Sequence, residues 1–384
     1  MAEPRIRLGM VGGGRGAFIG GVHRIAARID DRYELVAGAL SSRPDQAKAS
    51  AEDLHIAADR AYGSYEEMIA GEAARPDGIE AVSIVTPNHM HFPVAKACLE
   101  AGLNVICDKP VTRTLEEALE LEQVVARSKG YFALTHNYSG YPLVRYAREL
   151  VAKGELGEIR LIQVEYPQEW LTEAPDADNK QASWRTDPAR SGKAGCLGDI
   201  GTHAFQLAGF ISQLKLDAVS ADLTSFVPGR AVDDNVHALL RFEGGAKGML
   251  WTSQVAPGCE NGLRIRIFGG KAGLEWAQEN PNELWLTPLN QHRQRITRRN
   301  DNIDSEVAAR GMRIPGGHPE GYLEGFATLY MDIADVLAAR KRGERHAMED
   351  WIPGIETGVE GMRFIQAVLD SSASDGRWTR MADL

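Results

Sequence analysis

Apolar residues recur along the chain in two rhythms, and the rhythm changes near residue 136. Before that point, short apolar runs alternate with helical patterns. Residues 5–11 (RIRLGMV), 33–40 (YELVAGAL), 80–85 (EAVSIV), 103–107 (LNVIC) and 131–135 (YFALT) are short and rich in Val, Ile and Leu. Turn residues flank them, as expected of buried strands. Helices are predicted between them. One carries His23, Ile25, Ala26 and Ile29 on recurring turns, and one opens with Pro44 at its first position. A short one over 65–70 has Ser64 as its cap, and another opens at His89 and His91 and runs through 94–100. A fifth has Thr114 as N-cap with Glu116 and Glu117 in its first turn. Strand and helix units of this spacing give a doubly wound parallel sheet with right-handed crossovers.

Beyond 136 the pattern becomes that of an α+β domain on a large, mostly antiparallel open sheet. A helix over 142–151 ends at Gly154, and strands are expected at 159–166, 219–226, 236–242, 247–254, 264–268 and 283–287. Two helices, 320–340 and 351–369, close the chain. The division is therefore 1–136 and 137–384, with the last helix able to pack back on the first domain. Strands 236–242 and 247–254 are apolar on both alternating sets: Leu239 beside Leu240, and Met249 and Trp251 beside Leu250. A second apolar face calls for a partner, or for cover from the chain's own 292–313 segment.

Composition narrows the class. A chain of 384 residues, 43% apolar and 25% charged, is of ordinary globular make-up and long enough for two domains. A net charge of -10 argues against a nucleic-acid partner, since no excess of Lys and Arg exists to neutralise phosphates. The one basic cluster, 292–299 (HRQRITRR), reads as a solvated loop in a long polar connection. No apolar run approaches a membrane span and no signal peptide precedes the first strand, and the thiol-reduced pattern of the four cysteines points to the cytoplasm. Cys98, Cys107, Cys196 and Cys259 form no CxxC pair, and the histidines show no Cys/His ligand set, so neither a disulfide framework nor a metal is expected.

Candidate chemistry gathers at the strand ends. Residues 103–110 read LNVICDKP, so Lys109 falls where a strand ends and a crossover begins, the edge at which open α/β sheets bind ligands. After the first strand comes Gly12-Gly13-Gly14-Arg15-Gly16-Ala17-Phe18, in the strand–turn–helix context of a dinucleotide fingerprint. Gly12 suits the tight turn and Gly14 the approach to a pyrophosphate. Ala17 fits the third position, with Gly20 as the alternative. The second strand ends in Ser41, Ser42 and Arg43, without the carboxylate that usually reads an adenosine ribose. Either the serines bond the ribose hydroxyls or Arg43 reaches a 2′-phosphate. Asn88, in the turn with Thr86, Pro87 and His91, ends the neighbouring strand over the same crevice. Asp199 and His203 are four apart at the start of a helix and share one face.

The glycine turn, TPNHMHFPVA, CDKP, His136-Asn137-Tyr138 and GDIGTHAF, in that order, resemble the glucose–fructose oxidoreductase, inositol dehydrogenase and rhizopine-catabolism family over essentially the whole chain. The family's Glu-Lys-Pro stands here as Asp108-Lys109-Pro110. The resemblance implies a Rossmann domain joined to a sheet domain, and oxidation of a sugar or polyol hydroxyl with a nicotinamide cofactor. Lys109, Asp199 and His203 match its catalytic positions. Residues 166–185 and 317–326 look like the scyllo-inositol and L-glucose dehydrogenases of the family, which tips the cofactor to NAD with NADP left open. On this reading Gly12, Gly14, Arg15, Ala17, Phe18, Ser41, Ser42, Arg43, Thr86, Pro87, Asn88, His91, Asp108, Lys109 and Asn137 hold the cofactor. Tyr138, Tyr166, Arg185 and His318, with Lys109, Asp199 and His203, meet the substrate. The resemblance also implies a homodimer or homotetramer joined through the second domain's sheet. An NAD-dependent glycosidase of the same fold and a non-catalytic cofactor-binding sensor are the alternatives.

Overall fold

The computed structural model describes residues 4–174, 179–298 and 303–384; Arg299 and part of 166–185 lie outside them. The first compact unit is a parallel sheet of β1 (Ile6–Gly12), β2 (Tyr33–Ala39), β3 (Ala81–Val85), β4 (Asn104–Cys107) and β5 (Phe132–Leu134). The intervening helices are α1 (Phe18–Ile29), α2 (Pro44–Asp53), α3 (Tyr65–Ala73), α4 (His91–Glu100) and α5 (Leu115–Arg127). Cap chemistry sets their starts. Ser64 accepts from Glu67 N, and Thr114 with Glu117 forms a capping box that satisfies two otherwise unpaired donors. The strand order is β2-β1-β3-β4-β5, so the chain reverses direction across the sheet at β1. Ligands of such sheets bind beyond the strand C-termini at that reversal.

Two features of this unit differ from the sequence reading. On α1 the buried stripe is Gly20, Val22, His23, Ala26 and Ala27, while Ile25 and Ile29 are partly exposed. The unit also takes in Phe326–Val359 from late in the chain. Tyr330 from that segment buries its hydroxyl 2.8 Å from His23 Nδ1 and 3.0 Å from Ser83 Oγ, and Tyr33 donates to its carbonyl at 2.9 Å. His23 and Ser83 thus find partners more than two hundred residues away, which no local pattern announces.

The second unit carries α6 (Pro142–Ala152), α7 (Lys180–Arg185), α8 (Pro188–Ser191), α9 (Thr202–Ser212) and α10 (Glu306–Arg310). Its strands are β6 (Ile159–Pro167), β7 (Leu216–Thr224), β8 (Asn235–Phe242), β9 (Lys247–Ser253), β10 (Arg264–Gly269), β11 (Ala272–Ala277), β12 (Glu283–Pro288), β13 (Gln294–Thr297) and β14 (Thr379–Arg380). Helices α11 (Tyr322–Lys341) and α12 (Ile355–Ala373) each run from one unit into the other. The nine strands form one sheet, in which β6 and β9 are parallel and the other pairs antiparallel. One face, with Ile162, Val164, Leu250, Ile265 and Trp276, is buried and has α6 and α9 packed on it. On the other face Leu161, Leu239 and Met249 are each about half exposed, so no described segment of the chain covers them.

The basic cluster is a loop only in part. Gln294–Thr297 forms edge strand β13, paired with β12. A strand bonded on one side only needs no apolar alternation, and charged side chains along an edge discourage further pairing. β11 was also unread: the glycines around it look like a turn, yet Ala272, Leu274 and Trp276 alternate inward. Among the described residues no helix is long and apolar enough to cross a membrane.

Candidate active site

At the C-terminal edge of the parallel sheet, glycines let backbone meet backbone. Gly12 has φ 81°, and a Cβ there would lie 2.9 Å from Val85 O. A Cβ at Gly20 would fall 2.4 Å from Gly13 Cα, so the close turn-to-helix approach is made by Gly20 on Gly13, not by Ala17. Gly14 is pressed against Leu40 O and Ser50 Oγ. Ala17 is the N-cap of α1 and gives no side-chain hydrogen bond, and no acidic residue stands in the first turn; a helix start of this kind favours an anion. Phe18 is exposed beside it. Arg15 is engaged by both carboxylate oxygens of Asp53 at 2.5 and 2.7 Å. At the end of β2, Ser41 Oγ accepts from Arg43 N at 3.1 Å, and Ser42 and Arg43 are exposed.

The neighbouring strand ends are more enclosed. Asn88 and Asn137 are buried, and Thr86 Oγ1 and Asn137 Nδ2 have no hydrogen-bond partner among the described residues. Buried polar atoms are rarely left so, and such atoms beside a glycine turn and an open helix start suit a dinucleotide. His91 lies with Nδ1 2.7 Å from Pro110 O and Nε2 2.9 Å from Thr86 O, joining the turns after β3 and β4. Its burial pulls its pKa down, while Asp108 and the two carbonyls oppose the shift. Asp108 Oδ1 accepts from Lys109 N at 2.8 Å and from Thr135 Oγ1 at 3.2 Å, so it braces the turn that carries Lys109. Burial brings His136 down to about 3, and nearby Lys109 adds to the effect.

In the second unit, Asp199 lies in a π-helical turn, Leu197–Gly201, that leads into α9 with His203. The regular helix read from the sequence is thus widened where it carries Asp199, and single π turns of this kind collect at functional sites. Asp199 Oδ2 accepts from Gln254 Nε2 at 2.9 Å and pairs with Arg185 Nε at 3.2 Å. The Arg185 guanidinium sits over Trp184 at 4.3 Å and faces Trp170 at 5.9 Å. Tyr138 meets the His203 ring edge-on, 4.9 Å between centroids. Tyr138 and Tyr166 share a 2.5 Å hydrogen bond, and Tyr166 donates to Asn261 Oδ1 at 2.8 Å. The Tyr166 proton is therefore spent on Asn261, which makes Tyr138 the donor to Tyr166. Burial pushes Tyr138 up to about 12 and also raises Tyr166 well above the ordinary phenol value, so both remain phenols.

Tyr138, Tyr166, Arg185, Asp199 and His203 thus gather around one pair of side-chain networks. His318 stands in an exposed loop of its own, with Nδ1 3.2 Å from Pro315 O. That loop is locked at its base, where Arg298 donates to His318 O at 2.6 Å and pairs with buried Glu320 at 3.0 Å. Sequence reading missed Gln254 and Asn261. The only signal for Gln254 was a polar residue closing an apolar strand run, and Asn261 lies in a loop.

A parallel sheet with a glycine turn at its reversal point, followed by a sheet domain with a carboxylate–histidine helix, defines a nicotinamide-dependent oxidoreductase. Residues 6–136 match the model of the oxidoreductase family with an NAD-binding Rossmann fold, and residues 144–275 that of the GFO/IDH/MocA C-terminal domain. The chain belongs to the Gfo/Idh/MocA family. It is similar to the uncharacterized oxidoreductase YfiI of Bacillus subtilis, at 35% identity over 97% of this chain and 96% of that protein. A crystal structure of an oxidoreductase from Sinorhizobium meliloti shares 49% identity with a TM-score of 0.89, covering 98% of this chain and 100% of that one. An inositol dehydrogenase homolog from Azotobacter vinelandii, complexed with NADH and myo-inositol, shares 36% identity with a TM-score of 0.91 over 98% and 97%.

Proposed function

We propose that the protein oxidises a secondary or anomeric hydroxyl of a cyclic polyol or sugar, of the inositol or L-glucose kind, by hydride transfer to NAD. The observation that carries this is Asp199, fixed by Gln254 and Arg185 one helical turn before His203, in a chain with an NAD-binding Rossmann domain. The likeness to a homolog complexed with NADH and myo-inositol supports the substrate class. Bound nicotinamide supplies the hydride acceptor; the chain binds the polyol and moves its proton. Neutral His203 takes the hydroxyl proton, oriented by Asp199, as the carbinol carbon gives up hydride and becomes a carbonyl. The Lys109 ammonium steadies negative charge on the same oxygen. Tyr138, Tyr166 and Arg185 bind neighbouring hydroxyls, and His318 meets the substrate of its own or a neighbouring subunit. The four free cysteines fit work in the cytoplasm.

The test is a spectrum at the nicotinamide absorbance with a panel of inositols and aldoses. Net reduction of the cofactor is expected. Cleavage of an aryl glycoside without reduction would make the protein a glycosidase, and binding without either would make it a sensor.

NAD is expected to give the higher kcat/KM despite the bare end of β2, and Arg43→Ala is expected to change NADP use more than NAD use. A preference for NADP would show that Arg43 takes a 2′-phosphate. The half-exposed Leu161, Leu239 and Met249 lead to a second expectation, a homodimer or homotetramer joined through this sheet face. Light scattering at micromolar concentration checks it, and a stable monomer rules it out.

A further inference from the structure

Two adjacent buried carboxylates stand behind Asp199, and neither has a part in the chemistry above. Asp233 Oδ1 accepts from Gly195 N at 2.7 Å and Oδ2 from Leu197 N at 2.7 Å, while its carbonyl accepts from Cys196 N at 2.9 Å. Three successive backbone donors are thus held by one residue, at the entrance to the π turn that carries Asp199. A helix is ordinarily capped by a short polar side chain at its own N-cap. Here the cap comes from a residue 38 positions later, buried and held to that segment. Gly195 permits it: a Cβ there would lie 2.3 Å from Asp233 O and 2.6 Å from Val232 Cγ2.

Asp234 reaches the same carboxylate from the other side. Its carbonyl accepts from Gln254 N at 2.8 Å, and Gln254 Nε2 donates to Asp199 Oδ2. Its own carboxylate accepts from Phe226 N and Val227 N and pairs with buried Arg230 at 3.1 Å. Arg230 in turn donates to Leu171 O at 2.8 Å and Glu173 O at 3.2 Å, behind Trp170. The backbone before Asp199, the carboxylate of Asp199 and the loop after Trp170 are therefore all referred to one dipeptide.

We propose that Asp233 is a positioning residue of the reaction, fixing Asp199 and through it the orientation and basicity of His203, while Asp234 and Gln254 hold the same carboxylate from the opposite side. A merely structural cap would stabilise the fold and touch the titration of His203 only through its own charge, which Gln254→Leu leaves in place. A positioning cap sets that titration, because the imidazolium is favoured by a carboxylate only where the carboxylate is held in place. Asparagine at 233 keeps the size but turns an NH2 toward one of the two backbone donors, so the turn loses part of its anchor.

The inference rests on His203 as the base, and its test is built so that the two can fail separately. In Asp233→Asn, NMR titration of the His203 ring without substrate is expected to show its midpoint lower by about half a pH unit or more. The acid limb of kcat is expected to move with it, and kcat to fall about tenfold or more, with the affinity for NAD unchanged. A lower Tm with the His203 midpoint and the acid limb unmoved would overturn the proposal. Gln254→Leu, which leaves the turn's anchor intact, is the second variant: it is expected to displace the same midpoint, and it decides the matter if Asp233→Asn does not fold. Failure of the unaltered protein to oxidise any polyol would remove His203 as base, while the NMR titrations would still confirm or overturn the positioning.

Discussion

Replacing Lys109 by Ala is expected to leave the fold intact and remove most of the turnover. The Lys109 side chain is partly exposed, and its backbone N–H still serves Asp108 after the change. On the proposed reading, what is lost is a positive donor on the oxygen that becomes an alkoxide. Removing one such donor costs about 2.7–4 kcal/mol of transition-state stabilisation, a loss of roughly 10²–10³ in kcat. NAD affinity measured beside kcat separates the two roles: a fall in kcat larger than the loss of NAD affinity is expected. Lys109→Arg keeps the charge without the compact ammonium and should recover only part of the rate. Near-normal kcat in Lys109→Ala would sink the assignment.

His203→Asn should cost as much or more, and it should change the shape of the pH profile. A positioned general base contributes about 10²–10⁴ in rate. The base must be free of its proton to act, so kcat for the unaltered enzyme should rise with pH and level off once the base is deprotonated. Without the imidazole, only water or hydroxide can take the proton. The variant's rate should then keep climbing with pH and show no such plateau. Measuring kcat from acid to alkaline pH decides it; a variant that keeps the original break would return the proton to Lys109 or another group.

The parallel-sheet unit was legible because each strand is a short apolar run with turn residues at both ends, and because Ser64, Pro44 and Thr114 mark their helix starts chemically. The motif residues could likewise be placed on strand ends from order alone. What escaped has specific causes. Tyr330, which partners His23, lies in a segment hundreds of residues away. The edge strand β13 carries charge where a buried strand would carry apolar side chains. The π turn at Asp199 adjoins a backbone segment held by Asp233, a contact between distant positions that no local pattern announces. Gln254 and Asn261 matter through a single side-chain amide each, and nothing in their local sequence distinguishes them from solvent-facing polar residues.

The segment Phe326–Val359 bears on how the protein is made. The first unit is encoded largely by residues 1–137, yet its last parts arrive after almost the whole second unit has been synthesised. Until then Tyr33 and His23 lack Tyr330, and the edge strand β5 lacks Pro353, whose carbonyl accepts from Leu134 N at 2.8 Å. At ribosomal rates of about 5–20 residues per second, roughly 10–45 s separate the two portions. The nucleotide-binding half is begun first and finished late, so a nascent chain holds an uncovered sheet edge while the second unit emerges.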